Sequence, residues 1–459
     1  MADLLSIGAS ASQIYKSALS TVSNNIANLT TEGYSRQSIN ISENAPDRLG
    51  QTYLGTGATV DTITRGFNAF AENNLRQSKG ELSTQDQLIN YASQVVDVLG
   101  SDSAGLNQAM DRFFASAGDL SIDPASTTLR SAFLNEAEGL AIRFNELAGY
   151  LNDVEQDTQF DIDAKTVRLN NLAQQLVAIN AELEGNFDLK NQPPALLDQR
   201  DRTLLEMAEI ANIHVTEGKS GAVNVRLDNA FGTMVVDNNR ANQFSTQFNQ
   251  PQVGSVEIIS SYGVLGNVTD LTGGALGGLL SVRSQVLLPT ITKLDDLANT
   301  LTSEVNAIQT SGYDGDGINV GTAMFGDDGV TTGAAGLTLL INDPKDIAAA
   351  QQANSPGDNS NMVLLSRLQT KDVMTDGGSL TDGYNSIVTS VGSQVTLAKI
   401  SREALQVVYD QAVAENDQVS GVNLDEEAAD LIRYQQAFQA SAKIIEVSSK
   451  LFDAILAVR

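Results

Sequence analysis

Apolar residues near the C-terminal end of the chain recur every seven positions, the repeat of helices that pack side by side. The large side chains of this repeat are Leu424, Leu431, Phe438, Ile445 and Phe452. The small or polar residues at the intervening step include Ala428, Gln435 and Ala442. The spacing predicts a final helix with a coiled-coil seam. Asn423 is suited to cap the start of this helix, with Glu426 as its reciprocal partner.

A weaker stripe of the same kind occupies residues 3–29 and predicts the first helix, which ends before Gly33. A single helix with Ala, Ser and Gln on half of its seam is only marginally stable in water. We therefore expect the two terminal helices to pair and to complete their packing against neighbouring copies of the chain, with asparagines forming hydrogen bonds between subunits. The predicted assembly interface consists of Leu19, Val22, Asn25, Ile26, Asn28, Leu29, Leu424, Leu431, Gln435, Phe438, Ala442, Ile445 and Phe452.

The middle of the chain returns to helical spacing. Apolar residues between Ala137 and Leu183 keep the helical period with one phase slip, which predicts one long helix, or two, of up to about 60 residues and about 90 Å. Pro193 and Pro194 interrupt this pattern before a further helix begins. Helices are also predicted over residues 279–311 and 392–418.

Residues 211–272 alternate apolar and polar side chains with period two, as at Val223, Val225 and Leu227. They predict a β-rich unit between helices. Residues 312–395 are less decisive, with a strand predicted at 337–341 and a helix at 362–368. The predicted fold is mainly α with an inserted β-rich domain at 211–272, a helical rod domain at 67–210 and 273–414, and a terminal coiled-coil layer at 1–66 and 415–459.

Composition narrows the classes of function. The 459 residues carry a formal net charge of −28, so nucleic acid and anionic membranes would repel the chain and neither is an expected partner. No apolar run is long enough to predict a membrane span. The first cation is Lys16, which leaves no basic flank for a secretory signal peptide. With no cysteine and one histidine, most thiol, zinc and triad chemistry is excluded.

No residue pattern predicts a catalytic, cofactor or metal site. His214 stands in an alternating stretch and is expected on a strand surface or buried with a partner. The Asp314-Gly315-Asp316-Gly317 segment has Ile318 at a ligand position of a calcium loop, so a turn is expected there. We expect no enzyme activity and no cofactor.

Several motifs at the two ends carry a resemblance to a known family. Residues 23–28 read SNNIAN and residues 31–37 read TEGYSRQ. Residues 420–428 read SGVNLDEEA and residues 196–201 read LLDQRD. These motifs resemble the rod, hook and hook-associated axial proteins of the bacterial flagellum, and within them the family of the first hook–filament junction protein. The resemblance covers nearly the whole length, with its specificity in these motifs.

The resemblance implies an inner layer made of both termini, a helical second layer and an outer β domain that faces solvent. It implies a structural subunit at the junction between hook and filament, secreted to the flagellum by the flagellar type III export route. Its implied partners are copies of itself in a ring layer, hook protein, the second hook–filament junction protein and an export chaperone that holds the C-terminal helix.

Two alternatives stay open at this point. Another axial subunit, such as hook protein or flagellin, would have the same architecture. An extracellular adhesin or a hydrolase carried on the β insertion is a more distant alternative, and a hydrolase would use carboxylates such as Asp228, Asp237 and Glu257.

Overall fold

The computed structural model describes residues 4–49, 51–100, 105–185, 192–218, 220–248, 256–260, 271–375 and 377–457. The described residues form a mainly helical protein. Its α-helices are α1 Leu4–Ala27, α2 Ala69–Leu99, α3 Leu106–Ile122, α4 Thr127–Gly185, α5 Pro194–Ile210, α6 Gly274–Ser281, α7 Leu288–Gln309, α8 Ser360–Leu368, α9 Leu380–Ser420 and α10 Leu424–Ala457. Its strands are β1 Gln37–Glu43, β2 Asp47–Leu49, β3 Thr52–Leu54, β4 Ala58–Arg65, β5 Ile213–Glu217, β6 Val223–Leu227, β7 Met234–Asp237, β8 Arg240–Ala241, β9 Phe244–Phe248, β10 Val256–Ser260, β11 Phe325–Asp327 and β12 Leu337–Leu339.

The long helix predicted in the middle of the chain is confirmed as α4, a single helix of 59 residues. Its apolar stripe faces the core, and Leu140, Phe144, Leu147 and Leu151 are all buried. The next helix, α5, has Pro194 in its first turn, where the missing N–H of proline removes no helical hydrogen bond.

The rod helices, by which we mean α2 to α9, share one apolar core. At one point of this core the Phe113 ring lies 5.1 Å from that of Phe114, 5.2 Å from that of Phe133 and 5.9 Å from that of Phe325. Tyr384 on α9 donates a hydrogen bond to the Leu99 carbonyl at the end of α2, at 2.7 Å. Apolar burial and buried polar contacts of this kind hold the two ends of the rod sequence together.

The β-rich stretch forms an antiparallel four-stranded sheet in the order β5-β6-β7-β8, with β9 and β10 paired separately. Val223, Val225 and Leu227 are buried in the same core as the rod helices. Asn180 on α4 ties the sheet to the helix, since its side chain donates to the Val223 carbonyl and accepts from the Val223 N–H, both at 2.9 Å. The sheet is therefore packed onto α4, and the domain division at 211–272, part of which lies outside the described residues, stays a prediction.

A π-helical turn at Val282–Leu287 joins α6 to α7 and makes one continuous helical segment. The turn comes just before Pro289, whose ring would clash with an ordinary α-helical carbonyl four residues earlier. The helix predicted at 279–311 is confirmed, and it begins earlier, at Gly274.

In residues 312–395, the strand predicted at 337–341 is present as β12, which pairs with β11. The helix predicted at 362–368 is present as α8. The helix predicted at 392–418 is longer than expected and begins at Leu380. Its start carries a capping box, in which the Ser379 hydroxyl accepts from the Asp382 N–H and the Asp382 carboxylate accepts from the Ser379 N–H.

Candidate assembly surface

Helices α1 and α10 pack against each other in antiparallel directions. Gly8 near the start of α1 lies against Ile445, so closely that a Cβ atom on Gly8 would stand 2.9 Å from the Ile445 Cγ1. In the middle of α1 the Tyr15 ring lies 6.3 Å from the Tyr434 ring. These contacts run in opposite order along the two helices and define a terminal pair that joins the two ends of the chain.

The side of α10 that faces α1 agrees with the predicted seam in one of its two rows. The first row includes Leu431, Phe438 and Ile445, which are half-buried. The most buried residues of the second row are Glu427, Ser441 and Ser448, one position earlier than the predicted small or polar residues. Gln435 and Ala442, predicted for that row, are exposed, and so are Leu424 and Phe452 at the two ends of the first row.

Helix α1 shows a similar difference between predicted and observed packing. Val22 is buried inside the single chain, together with Ile14 and Ala18. Leu19 and Ile26 are half-buried, whereas Leu29 follows the end of the helix and is exposed. The buried residues of α1 lie outside the core of the rod helices, so the terminal pair has a small packing surface of its own.

The terminal pair leaves many large apolar side chains uncovered within the single chain. Between 40 and 64 % of each of these residues is accessible to solvent. They are Leu4, Leu5, Leu29, Leu424, Ile432, Ile444, Val447, Leu451 and Phe452. Exposed apolar residues in this number on one helix pair are typical of a surface that is covered by other molecules.

Asn25 has a different role from the predicted contact between subunits. Its residue is only 1 % exposed. Its amide nitrogen donates to the Gln37 carbonyl and to the Glu427 carboxylate, both at 2.9 Å. Its amide oxygen accepts from the Tyr34 hydroxyl at 2.8 Å and from the Gln37 N–H at 3.0 Å. The Asn25 side chain therefore donates two hydrogen bonds and accepts two within the chain, because the loop after α1 folds back over it.

Asn28 lies at the end of α1 and makes local contacts. Its side-chain nitrogen donates to the carbonyl and to the side-chain oxygen of Asn24, at 2.9 and 3.1 Å. These bonds satisfy the last turn of the helix, and the prediction that Asn28 contacts a neighbouring subunit is not tested by them.

Arg36 connects the terminal pair to the C-terminal end of α9. Its Nε donates to the Glu427 carboxylate at 2.6 Å, and this hydrogen bond raises the pKa of the guanidinium. Its backbone N–H donates to the Ser420 carbonyl and its backbone carbonyl accepts from the Gly66 N–H, both at 2.8 Å. Glu427 is 1 % exposed, so the carboxylate is buried with a cation and an amide as partners.

The LLDQRD motif contributes a second group of buried charges beside Arg36. Arg65, the last residue of β4, donates to Asp198 at 2.8 Å and to Asp201 at 2.5 Å, both on α5. Asp198 also accepts from the Ser35 N–H at 3.2 Å. Burial, together with the charges of Asp198 and Glu427, raises the pKa of the Tyr34 hydroxyl to about 12. In the sequence, this motif was identified only through the resemblance to the flagellar axial proteins. Its three charged residues, Asp198, Arg200 and Asp201, are buried on α5, and charges in a helix with an apolar stripe are a signal that could have indicated their structural role.

In the described part of the β-rich region, the carboxylates suggested for a hydrolase lie on or beside separate strands. A groove of about 810 Å³ between α2, α9 and β5 is lined in part by His214 and Asp228. Asp237 ends β7 of the four-stranded sheet, whereas Glu257 belongs to β10 in another sheet. His214 is exposed on the surface of β5, which is one of the two positions expected for it.

The 314–317 segment, which was compared with a calcium loop, forms a turn. Asp314 accepts hydrogen bonds from the Ile318 N–H and the Asn319 side chain, as in a turn. Within the described ranges, no three His, Cys, Asp or Glu side chains group in a way that could hold a metal ion. Among the helices that the structure describes, none combines the length and the apolar character that crossing a bilayer requires.

Known proteins similar to this chain come from the bacterial flagellum. The flagellar hook-associated protein 1 of Salmonella typhimurium is 25 % identical over 556 aligned positions and that of Escherichia coli 25 % over 550, with both chains covered completely in each case. The Bacillus subtilis protein of the same name is 24 % identical and covers 96 % of this chain and 95 % of its own length. The solved structure of the flagellar hook junction protein FlgK from Burkholderia pseudomallei aligns with a TM-score of 0.68 at 18 % identity, over 76 % of this chain and all of that one.

Two family models match different parts of the chain. Residues 416–458, which include α10, match the C-terminal model of the flagellar basal body rod proteins FlgEFG. Residues 92–325, half of the chain, match the model of the helical domain of flagellar hook-associated protein FlgK. The protein therefore belongs to the FlgK family of flagellar hook-associated proteins.

Proposed function

We propose that this chain builds the junction between hook and filament by stacking its terminal pair, α1 and α10, against the terminal pairs of neighbouring copies in a ring layer. As a member of the FlgK family it is a structural subunit of the bacterial flagellum. The observation that carries the proposed mode of assembly is the apolar surface that the terminal pair leaves uncovered, which includes Ile432, Leu451 and Phe452. Burying such a surface between copies is favourable by about 25 cal/mol per Å².

The phase of the α10 seam supports this mode of assembly. Because the row that packs on α1 is shifted by one residue, Gln435 and Ala442 face solvent in the single chain. Together with Leu424 and Phe452 they are available to a second helix. We therefore keep the predicted interface residues as intermolecular contacts, apart from Val22 and Asn25, which are buried within the chain.

The proposed partners at the two faces of the ring are hook protein on one side and the second hook–filament junction protein on the other. Before assembly, a flagellar type III export chaperone would cover the α10 face around Leu431, Phe438 and Ile445, which keeps an aggregation-prone surface from solvent. The family name of the relatives supports a hook-region partner, and the exposed apolar side chains support a protective one.

The proposed division of the chain has a terminal layer at 1–66 and 415–459, a rod domain at 67–210 and 273–414, and a β-rich unit at 211–272 on the outside. The separate packing of α1 and the rod core supports the first boundary. The shared core of α4 and β6 gives the β-rich unit a firm attachment to the rod rather than independence.

The test is carried out in flagellated bacteria that lack their own copy of the protein. Ile432, which is 55 % exposed, is changed to Asp, and the matched control is Ile142→Asp, at a residue 50 % exposed on α4. Purified flagella are examined by immunogold labelling. Wild-type protein and the Ile142 variant are expected in one short band at the base of the filament. The Ile432 variant is expected to be folded by circular dichroism but missing from the band, leaving hooks without filaments.

Two outcomes would contradict the proposal. Incorporation of the Ile432 variant at the wild-type level would mean that this face is not an assembly surface. Label along the whole filament would instead indicate a filament subunit.

A further inference from the structure

The chain crosses between the terminal pair and the rod helices at two places that lie side by side. One crossing, residues 66–68, leads from β4 to α2, and the other, residues 421–423, leads from α9 to α10. Arg36 bridges them through backbone hydrogen bonds to Ser420 and Gly66 at 2.8 Å. The crossings approach so closely that a Cβ atom on Gly66 would stand 2.2 Å from the Val419 carbonyl oxygen.

Buried charges from both sides of the crossings converge at this point. The terminal side supplies the ion pair between Arg36 and Glu427, at 2.6 Å. The rod side supplies Asp198 and Asp201 on α5, which hold Arg65. Asp198 is 3 % exposed and the Arg65 side chain 7 %, so neither charge has water to replace its partner.

Asp198 has an unusual position in this cluster. One of its carboxylate oxygens accepts from Arg65 and the other from the Ser35 N–H, next to Arg36. These bonds reach the chain on both sides of the hairpin formed by β1 and β4, although Asp198 itself belongs to the rod. Asp198 thus acts on the terminal pair through Ser35 and Arg65 rather than by touching α1 or α10.

We infer that Asp198 is a positioning residue, and that its bonds to Arg65 and Ser35 form a latch that holds the terminal pair at one angle on the rod. When the carboxylate is neutralised, Arg65 loses a buried anion and the loop of Ser35 loses its anchor. The two crossings then act as a hinge, because the remaining ties from α5, the Asp201 bond to Arg65 and the contact of the Arg202 side chain with Gly33, do not hold the Ser35 backbone. The inference concerns a single chain and does not depend on assembly into a junction.

A matched control is available within the rod. Arg283 in the π-helical turn donates to Glu155 on α4 at 2.6 Å, and the two side chains are 8 and 10 % exposed. This pair resembles that of Arg65 and Asp198 in chemistry and burial, but it joins two elements of the rod. Glu155→Gln should therefore weaken the rod without changing the angle of the terminal pair.

The experiment uses pairs of spin labels on the full chain in solution. The sequence has no cysteine, so Ser390→Cys on α9 and Gln439→Cys on α10 create two unique labelling sites, both exposed. Double electron–electron resonance measures the distance distribution between the labels. We expect one narrow distribution in the otherwise unchanged chain and in Glu155→Gln. We expect the distribution of Asp198→Asn to broaden about twofold or to split, with helix content unchanged by circular dichroism.

Three results would overturn the inference: a broad distribution before any change at the latch, an unchanged distribution in Asp198→Asn, or equal broadening in Glu155→Gln. If Asp198→Asn fails to fold, Arg65→Lys tests the same latch from the side of β4, because a lysine lacks the fork that holds Asp198 and Asp201 together. Its distribution should also broaden, and a narrow one would count against the latch.

Discussion

Replacing Glu427 by Gln tests how far one buried carboxylate holds α10 in place. The Glu427 carboxylate accepts from Arg36 at 2.6 Å and from the Asn25 amide at 2.9 Å, and it is 1 % exposed. Gln keeps the size of the side chain but removes the negative charge and one acceptor. Arg36 then keeps the more distant carboxylates of Glu426 and Asp430, at 3.7 and 3.8 Å.

The expected loss of stability in Glu427→Gln depends on how deeply the ion pair between Glu427 and Arg36 is buried. Removing one partner of a fully buried ion pair costs about 3–5 kcal/mol. The Arg36 side chain is 31 % exposed, so water takes over part of the lost interaction and we expect about 2–3 kcal/mol. Glu426 provides the control, because it is the adjacent acidic residue of the same first helical turn and its side chain is 61 % exposed, 3.7 Å from Arg36. Glu426→Gln should cost less than about 1 kcal/mol.

Amide hydrogen exchange of α10 between Leu431 and Phe438 is the assay. A loss of about 2–3 kcal/mol corresponds to exchange about 30- to 150-fold faster in the Glu427 variant. Both variants remove a negative charge near the positive end of the same helix, so the helix dipole contributes equally to each. Equal exchange rates in the two variants would refute the reasoning, since burial of the ion pair would then contribute nothing.

Three further predictions concern packing, close approach and pH. Phe144→Ala in the core should lower the free energy of unfolding in urea by about 3–5 kcal/mol, whereas Phe160→Ala on the same helix, at a residue 72 % exposed, should leave it nearly unchanged. Gly66→Ala should destabilise by about 1–3 kcal/mol because its Cβ would meet a backbone carbonyl, while Gly149→Ala, with open space around it, should stabilise α4 by about 0.5–1 kcal/mol; thermal unfolding compares the two. Burial raises the pKa of Tyr34 from 10.0 to about 12, so its neutral form stabilises the fold below pH 10 and that stabilisation is lost as the pH rises towards 12. In a titration followed by tyrosinate absorbance, Tyr34→Phe should lose one of the late-titrating tyrosines, which also include Tyr91, Tyr150 and Tyr384.

Helices with long regular patterns were predictable, because their periodicity depends on local spacing alone. The stripe from Ala137 to Leu183 predicted α4, and Asn423 caps α10 as expected, accepting from the Asp425 N–H at 3.0 Å. Helix α9 begins before the predicted residue 392, although Ser379 and Asp382 form a capping signal in the sequence.

The rotation of α10 about its axis was not predictable from the heptad repeat. A repeat of apolar residues places small neighbours such as Ala442 on the seam in preference to a carboxylate. The observed seam includes Glu427, because Arg36 neutralises it and Asn25 binds it, from 391 and 402 residues away in sequence. A charge buried by distant partners leaves no trace in local periodicity, and the role of Asn25 was missed for the same reason.

The length of α4 sets a spacing within the molecule. Near its start, Arg130 donates to the carbonyls of Pro344 and Ile347, and near its end Asn180 holds the sheet through Val223. Fifty residues of continuous helix separate these anchors, which corresponds to about 75 Å at 1.5 Å per residue. The length of α4 therefore fixes the distance between the two anchors. Inserting two helical turns between them would move them apart by about 11 Å, and both anchors would still point to nearly the same sides of the helix.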